Sequence, residues 1–316
     1  MASERDELID LCVRVPGSTS NLGPGFDFVG LALSIFLDAR IVGRSRTSSH
    51  ELADLRGTAS AWPRGPDNVF LRAFDHATDA LGLARAPLRF AIASEIPLAR
   101  GLGSSGAAIA AGLLLARACA STQAAQEPDE TLCAWGCDIE GHPDNTSASL
   151  LGGCTLSIPR ADGTLRVIRQ DLHPSLGFAV AWPEQALATR DARAVLPRDV
   201  PFADAVENPR RLAALLEGLR SGDEELLRLG EHDRLHVRHR LELIGRGAEA
   251  LAAARESGAW LATVSGSGSA LFAIGPHARM DAIAEAMRGE LSGPRGGAAT
   301  ARVVEAVAGT PVVGPG

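Results

Sequence analysis

A glycine-rich loop is the first feature of this 316-residue sequence that suggests chemistry. Residues 101–106 read GLGSSG, a G-x-G-x-x-G pattern. The loop follows an alternating, strand-like stretch at 88–93 and precedes a run of small apolar residues that predicts a helix buried on all sides. One interpretation is a dinucleotide-binding turn, in which Glu127 or Asp129 would bind a ribose. That acid should end a second strand, whereas the intervening residues predict a helix and a polar break.

Two further interpretations of the loop remain. A nucleophile elbow has the pattern G-x-S-x-G, but residues 103–107 read GSSGA and lack its final glycine. In a phosphate cradle, backbone N–H groups and the positive end of the following helix bind the anion. Ser104 and Ser105 could cap that helix or place a hydroxyl on Mg²⁺. Three glycines and two serines exceed what a tight turn requires, so the sequence favours the cradle.

The charged residues of the sequence exclude several kinds of active site and partner. All 31 residues counted as Lys+Arg are arginine, and there is no lysine. A classical P-loop and a Schiff-base enzyme both require lysine and are therefore excluded. A formal charge of −7 argues against nucleic acid as a partner. A cradle of backbone amides, serine and Mg²⁺ needs no lysine.

A second motif, at 232–236, reads HDRLH and resembles the H-E-x-x-H helix of zinc proteases. Its Asp233 is one methylene shorter than the usual glutamate and no clear third ligand follows, so an exposed helix flank is favoured. The five cysteines lack zinc spacing and predict a reducing, cytoplasmic location. No apolar stretch is long enough to span a bilayer, and the acidic segment at 1–10 lacks the apolar core of a signal peptide.

The elements that must position these motifs can be predicted from periodicity. Strands are predicted at 11–16, 34–42 and 88–93, and helices from 66, 107 and 128 onward. After 152–153 the pattern changes to short strands, a long helical region at 201–256, and then strand–strand–helix–strand. This succession predicts an α+β fold with a domain boundary near residue 158, giving domains at 1–158 and 159–316.

Four segments carry a family resemblance. IPLARGLGSSGAA (96–108) is similar to the phosphate-binding motif of the GHMP kinases, and VSGSGSALFAI (264–274) resembles their C-terminal glycine motif. VRVPGSTSNLGPGFDFVGLAL (13–33) and EGHPDNTSASLLGG (140–153) resemble motifs specific to the homoserine kinases within that superfamily. The resemblance implies a two-layer α/β GHMP kinase fold. Its N-terminal domain would resemble ribosomal protein S5 domain 2, and its C-terminal domain would be ferredoxin-like.

For the nucleotide, the resemblance implies ATP and Mg²⁺. Ser105 and Glu140 would bind the metal, and Asn68 and Val69 would lie on the adenine side. The residues expected to surround the phosphates are Pro97, Gly101, Leu102, Gly103, Ser104, Ser105, Gly106 and Ala107.

For the acceptor, the resemblance implies an amino-acid clamp. Arginine forks suit a carboxylate, and acidic or amide oxygens suit an ammonium group. Arg240 fits the position of a second substrate arginine better than Arg238, although a proline usual there is missing. Asp144 and Asn145 would orient the attacking hydroxyl. The substrate-binding residues implied are Asn21, Asp27, His142, Asp144, Thr189, Arg193, Arg240, Gly266 and Ser267.

The resemblance therefore predicts ATP-dependent phosphorylation of L-homoserine to O-phospho-L-homoserine, a step of threonine biosynthesis. The alternatives are a GHMP kinase for another small hydroxylated acceptor, such as threonine or an isoprenoid alcohol, and a nicotinamide-dependent oxidoreductase. We expect a small-molecule substrate, no nucleic-acid or membrane partner, and leave a homodimer open. Two departures from the family pattern stand out: Thr146 replaces a common valine, and Ser269 replaces a common proline.

Overall fold

The structure, a computed structural model, describes residues 10–83, 86–120, 127–293 and 297–316. The strands are β1 (Leu11–Asn21), β2 (Gly25–Arg44), β3 (Glu51–Gly57), β4 (Leu88–Ser94), β5 (Cys154–Pro159), β6 (Leu165–Gln170), β7 (Leu176–Pro183), β8 (Leu261–Val264), β9 (Leu271–Pro276), β10 (Ala299–Val304) and β11 (Gly314–Pro315). The helices are α1 (Val69–Ala80), α2 (Ser104–Ala118), α3 (Asp129–Glu140), α4 (Asp144–Leu151), α5 (Thr189–Ala194), α6 (Phe202–Ser221), α7 (Glu224–Gly230), α8 (Val237–Leu241), α9 (Gly247–Glu256) and α10 (Met280–Ser292).

The first sheet has the order β11-β1-β2-β4-β3, with β5 paired to β2 and β6 paired to β5. Only β3 and β4 run parallel among these described pairs. Helix α2 packs against β1 and against α1, α3 and α4. Every residue from Gly106 to Ala116 is buried, as the apolar sequence of this helix predicts. The start of α2 is therefore held rigidly against the sheet.

The second sheet has the order β10-β7-β9-β8 and is antiparallel throughout. Along the chain its elements follow the sequence strand, helices, strand, strand, helix, strand, which is the β-α-β-β-α-β arrangement of a ferredoxin-like domain. Helices α9 and α10 cover this sheet, and their apolar residues share a core with it. The predicted α+β architecture with a ferredoxin-like second half is confirmed.

The sheets divide the chain differently from the boundary expected near residue 158. That position lies within β5, and β5 and β6 both belong to the first sheet. The change of sheet occurs between Gln170 and Leu176. The chain then returns to the first sheet after β10, because β11 pairs with β1. A hairpin of short strands gives no sequence signal for the sheet that it joins.

The helical region predicted at 201–256 is interrupted rather than continuous. Gly222 adopts a left-handed conformation that ends α6, and Asp223 caps α7 by accepting a hydrogen bond from the Leu226 N–H.

Among the described residues, no helix combines the length and apolar character needed to cross a lipid bilayer.

Candidate active site

One cavity brings together the motifs singled out in the sequence. Its lining comes from the end of β1, the start of β2, the loop at 97–103, the starts of α2 and α4, the end of α3, α5, α8, and the loop between β8 and β9. The lining residues are Ser20, Asn21, Asp27, Pro97, Ala99, Arg100, Gly101, Leu102, Gly103, Ser104, Ser105, Glu140, His142, Asp144, Asn145, Thr189, Arg193, Arg240 and Ser267. Segments that are more than 200 residues apart in sequence thus share one surface.

The glycine loop enters α2 through two glycines with positive φ. Gly101 has φ 72° and Gly103, the N-cap of α2, has φ 71°. A Cβ at Gly101 would overlap the Ser265 carbonyl oxygen, and one at Gly103 would overlap the Ser18 hydroxyl. The first amide groups of a helix have no acceptor within the helix, and the N-cap residue Gly103 has no side chain that could cap them. Their N–H groups and the helix dipole make this end attractive to an anion.

The third glycine motif ties this loop to β1. The Ser265 hydroxyl donates to the Gly101 carbonyl at 2.6 Å and also contacts the Thr19 hydroxyl at 2.9 Å. The Gly266 N–H donates to the Ser20 carbonyl at 3.1 Å. Where the family has proline, the Ser269 hydroxyl donates to the Gln185 carbonyl at 2.6 Å. Side-chain bonding therefore anchors the motif at the position where proline is absent.

Glu140 and Ser105 provide oxygen atoms to the cavity beside the start of α2. Burial raises the pKa of Glu140, whereas the charge of His142 and hydrogen bonds from Thr146 and Ser105 lower it. The Thr146 hydroxyl donates to Glu140 Oε2 at 2.7 Å. No group of three or more His, Cys, Asp or Glu that could hold a metal occurs in the described ranges. Mg²⁺ needs no such group, because it uses one or two protein oxygens together with phosphate and water. The donor set therefore fits Mg²⁺.

His142 and Asp144 form an ion pair at the start of α4, with Nδ1 2.8 Å from Oδ1. Burial opposes both charges, but each partner stabilises the other. The pKa of His142 is raised by Asp144 and Glu140, and the pKa of Asp144 is lowered by His142, the Asn145 N–H and Ser20. Asp144 is therefore held as a carboxylate with little affinity for a proton.

The Asn145 side chain is fixed by two serines of β1. Its Oδ1 accepts from the Ser18 hydroxyl at 3.0 Å, and its Nδ2 donates to the Ser20 hydroxyl at 3.0 Å. Neither serine was expected in the site from the sequence, although both lie within the 13–33 motif. The available signal was a run of four polar residues at 18–21, inside a predicted motif; the structure shows that these side chains are buried in β1.

A charged cluster forms the opposite side of the cavity. Arg193 makes two hydrogen bonds to Asp27, at 3.0 and 2.7 Å. Arg240 is 2% exposed and donates through Nη1 to the Gly266 carbonyl at 2.6 Å. Both guanidinium groups lie over the Phe26 ring, at 5.6 Å for Arg193 and 5.2 Å for Arg240. Arg238 is exposed, so the structure places Arg240, and not Arg238, in the cavity.

Asn21 uses its side chain within the protein. Its Oδ1 accepts from the Asp27 N–H at 2.9 Å and its Nδ2 donates to the Gly266 carbonyl at 3.0 Å. Thr189 and Ser267 meet across the rim, with their hydroxyl oxygens 3.4 Å apart. Asn21 therefore joins the first and third motifs, and Gly266 contributes a carbonyl that two cavity residues share.

Some predicted residues lie outside the lining. Gly106 and Ala107 are buried within α2. Asn68 is the N-cap of α1, accepting from the Phe70 and Leu71 N–H groups, and neither it nor Val69 reaches this cavity. Their predicted place beside adenine stays a prediction.

Two alternatives lose their structural basis. Residues 232–236 are not helical, so their histidines do not share a helix face as a zinc helix requires. Glu127 and Asp129 do not end a strand: Asp129 is the first residue of α3 and pairs with Arg117 at 2.7 Å. The dinucleotide-binding turn needed an acid at a strand end.

Comparison with known proteins agrees with this arrangement. The family described as GHMP kinases N terminal domain matches residues 68–153, and GHMP kinases C terminal matches 215–293. Homoserine kinases from Prochlorococcus marinus (strain MIT 9303) and Synechococcus sp. (strain RCC307) are each 40% identical to this chain. The first alignment covers 88% of this chain and 87% of the relative, and the second covers 87% of each.

Solved structures show the same fold. A homoserine kinase from Cytophaga hutchinsonii superposes with a TM-score of 0.82 at 23% identity, over 96% of this chain and 97% of that one. A mevalonate kinase from L. major gives 0.66 at 16% identity, over 94% and 96%. With both domains matched and 40% identity extending over most of its length, the chain belongs to the GHMP kinases, in the homoserine kinase family.

Proposed function

We propose that this protein transfers the γ-phosphoryl group of ATP to the side-chain hydroxyl of L-homoserine. The observation that carries the acceptor assignment is Arg240, a buried cation. Its Nη1 hydrogen bonds go to two neutral acceptors, the Gly266 carbonyl and His236 Nδ1, and its Nε has no partner among the described residues. Neighbouring aspartates stabilise its charge, but none of the described ones hydrogen bonds to it. A buried charge in such a setting is costly, so the cavity favours a ligand that brings an anionic group.

The neighbouring Arg193–Asp27 pair extends this argument to an amino acid. A zwitterion carries both charges of that pair. Its ammonium group suits Asp27, and its carboxylate suits Arg193 and Arg240. The substrate would thus exchange one ion pair for two complementary contacts. An isoprenoid alcohol without an ammonium group would leave Asp27 with no new partner.

The phosphates belong at the start of α2. The free N–H groups of its first turn, the backbone of 101–103 and the helix dipole supply positive potential without a lysine. Ser105 and Glu140 would hold Mg²⁺, which when bound would neutralise charge on the phosphate oxygens. This placement puts the γ-phosphate between α2 and α4, beside Asp144 and Asn145.

The reaction then depends on positioning. Phosphoryl transfer passes through a loose transition state, so alignment and charge neutralisation contribute more than early deprotonation of the nucleophile. Asp144 is a weak base because of its donors, and it is suited to accept a hydrogen bond from the acceptor hydroxyl. Asn145 is held by Ser18 and Ser20 and would help Asp144 to orient the acceptor hydroxyl. We infer direct in-line attack without an obligatory general base.

The proposal is tested by measuring ADP release with homoserine, threonine, serine and mevalonate in parallel. We expect the highest kcat/KM for homoserine. Two truncated acceptors sharpen the result: 4-hydroxybutanoate lacks the ammonium group and 3-aminopropan-1-ol lacks the carboxylate. Each should lose at least about 100-fold in kcat/KM, or about 2.7 kcal/mol, because each leaves a charged group unpaired. A higher kcat/KM for mevalonate than for homoserine would refute homoserine as the acceptor, but it would not refute kinase activity.

A further inference from the structure

We propose that His236 is a positioning residue for the acceptor carboxylate, acting through Arg240. His236 lies immediately before α8, is fully buried, and does not line the cavity. Its Nδ1 is 3.1 Å from Arg240 Nη1, and its Nε2 is 2.8 Å from the Gly23 carbonyl oxygen. The imidazole therefore bridges the loop between β1 and β2 to the guanidinium group of the clamp.

The two partners determine the protonation state of the ring. A carbonyl oxygen can only accept a hydrogen bond, so Nε2 must carry the proton. A guanidinium N–H can only donate, so Nδ1 must present a lone pair. His236 is thus neutral and acts as the acceptor for Arg240. Protonation of Nδ1 would place two donors against each other and a second cation beside Arg240.

Burial supports the neutral state, because it lowers the pKa of His236 to about 4. The charged groups around the ring are Asp233, Arg240 and Asp27. Asp233 also fixes the backbone here: its Oδ2 accepts from the N–H groups of Leu235, His236 and Val237, at 3.0, 2.6 and 2.7 Å. The histidine is therefore held at both its backbone and its ring.

The consequence for Arg240 is a fixed direction. Long arginine side chains lose rotamer entropy when they are ordered, and that cost lowers affinity unless it is met before the ligand arrives. Here the Gly266 carbonyl, the His236 lone pair and the Phe26 ring restrain the guanidinium from three sides. Its Nε is buried and has no hydrogen-bond partner in the part of the chain that the structure describes. This inference rests on the proposed role of Arg240 as carboxylate ligand.

The kinetic test compares His236→Leu and His236→Asn with His232→Leu, a control that removes an exposed histidine four residues away. We expect His236→Leu to raise KM for homoserine about 10- to 100-fold, with KM for ATP unchanged and kcat within about threefold. His236→Asn retains a side-chain acceptor and should restore part of the loss. In an Arg240→Met background, His236→Leu should add less than about threefold. The proposal would be overturned if the increases in KM for homoserine multiplied in the double variant, or if His236→Leu raised KM for ATP as much as KM for homoserine.

A second measurement does not depend on activity. In protein labelled with ¹⁵N-histidine, His236 should show the pattern of a neutral Nε2–H tautomer at pH 7, and its Nδ1 shift should move in Arg240→Met. A protonated Nδ1, or an Nδ1 shift unaffected by Arg240→Met, would overturn the inference. If wild-type protein failed to phosphorylate homoserine while these shifts behaved as expected, the acceptor assignment would fail and the contact would stand.

Discussion

Asp144 illustrates at the residue scale how an environment selects one role for a carboxylate. An efficient general base has a pKa near the working pH, but the donors around Asp144 lower its pKa. We predict that Asp144→Asn and Asn145→Ala each reduce kcat by less than about 100-fold. Removal of a general base typically reduces the rate by about 10²–10⁴-fold. Single-turnover measurements with saturating ATP would show this. Complete loss of turnover with intact substrate binding in both variants would contradict it.

The His142–Asp144 pair should also be visible in stability. In the unfolded chain these groups titrate near about 6.5 and 3.9. Because the folded pKa of His142 is raised, its contribution is complete below about pH 6.5 and is lost as pH rises through the folded pKa. Because the folded pKa of Asp144 is lowered, its contribution is present above about pH 3.9 and is lost as pH falls through the folded pKa.

We therefore predict a pH-dependent difference between wild type and His142→Gln, which keeps a hydrogen-bond donor but cannot be charged. Between about pH 5 and 6.5 the wild type should be more stable, by about 1–3 kcal/mol for a charged hydrogen bond. The difference should shrink as the pH rises to about 9. Urea unfolding at several pH values measures it, and a difference independent of pH would rule out an ion pair.

Thr146 is a departure from the family pattern with a specific contact. Its hydroxyl donates to Glu140, one of the two proposed Mg²⁺ ligands. Thr146→Val removes that bond and keeps the shape of the side chain. We predict that the KM for Mg²⁺ rises about fivefold, which corresponds to about 1 kcal/mol of lost binding free energy. Thr146→Ser should retain wild-type behaviour. Equilibrium binding of Mn²⁺ with ATP, followed by electron paramagnetic resonance, provides a readout separate from turnover.

At the scale of elements, the phosphate loop depends on close packing between backbones. We predict that Gly101→Ala raises KM for ATP more than about tenfold, because the new Cβ would displace the loop from Ser265. Gly163→Ala is the matched control: it also has positive φ, 83°, but nothing lies within 4 Å of its Cβ position. The control should lose about 1–3 kcal/mol of stability and keep its KM for ATP. Equal effects on KM would show that conformation alone, and not contact, matters.

The elements that could be predicted from sequence are those with strong local signals. The apolar run of α2 and the helix start predicted at 66 gave α2 and α1 close to their observed positions. Helix α4 was missed because its polar sequence, DNTSASLL, lacks amphipathic spacing and is buried by its neighbours instead. Strand β3 was missed because its alternation is weak and its parallel pairing with β4 is long-range.

The same distinction applies to the candidate site. Glycines and charged residues in the quoted motifs could be assigned to a cavity by resemblance, and most of them line one. The roles of Ser18, Ser20 and His236 could not, because each depends on a partner more than 120 residues away in sequence. The sequence instead favoured an exposed helix flank for His236, because spacing alone does not show that the segment is irregular and that this histidine is buried.

For the whole molecule, the chain's return to the first sheet is one of the features that link its two halves. After β10, the Ser34 N–H donates to the Glu305 carbonyl at 3.0 Å and the Val307 N–H donates to the Ala32 carbonyl at 3.1 Å. The Gly153 N–H donates to the Val307 carbonyl at 2.6 Å. The segment thus joins β2 to the end of α4, the helix that begins with Asp144 and Asn145.

Removing residues 305–316 should therefore weaken the fold more than the chemistry. The backbone hydrogen bonds to Ala32, Ser34 and Gly153 would be lost, at about 1 kcal/mol each, together with the pairing of β11 to β1. We therefore predict that thermal unfolding shifts down by several degrees. None of these residues lines the cavity, and well below the unfolding temperature KM for ATP and for homoserine should stay within about threefold. Val312→Ser, at a side chain that is 84% exposed, is the control and should leave both unchanged. An unaltered unfolding temperature after truncation would mean that the two sheets are joined without this segment.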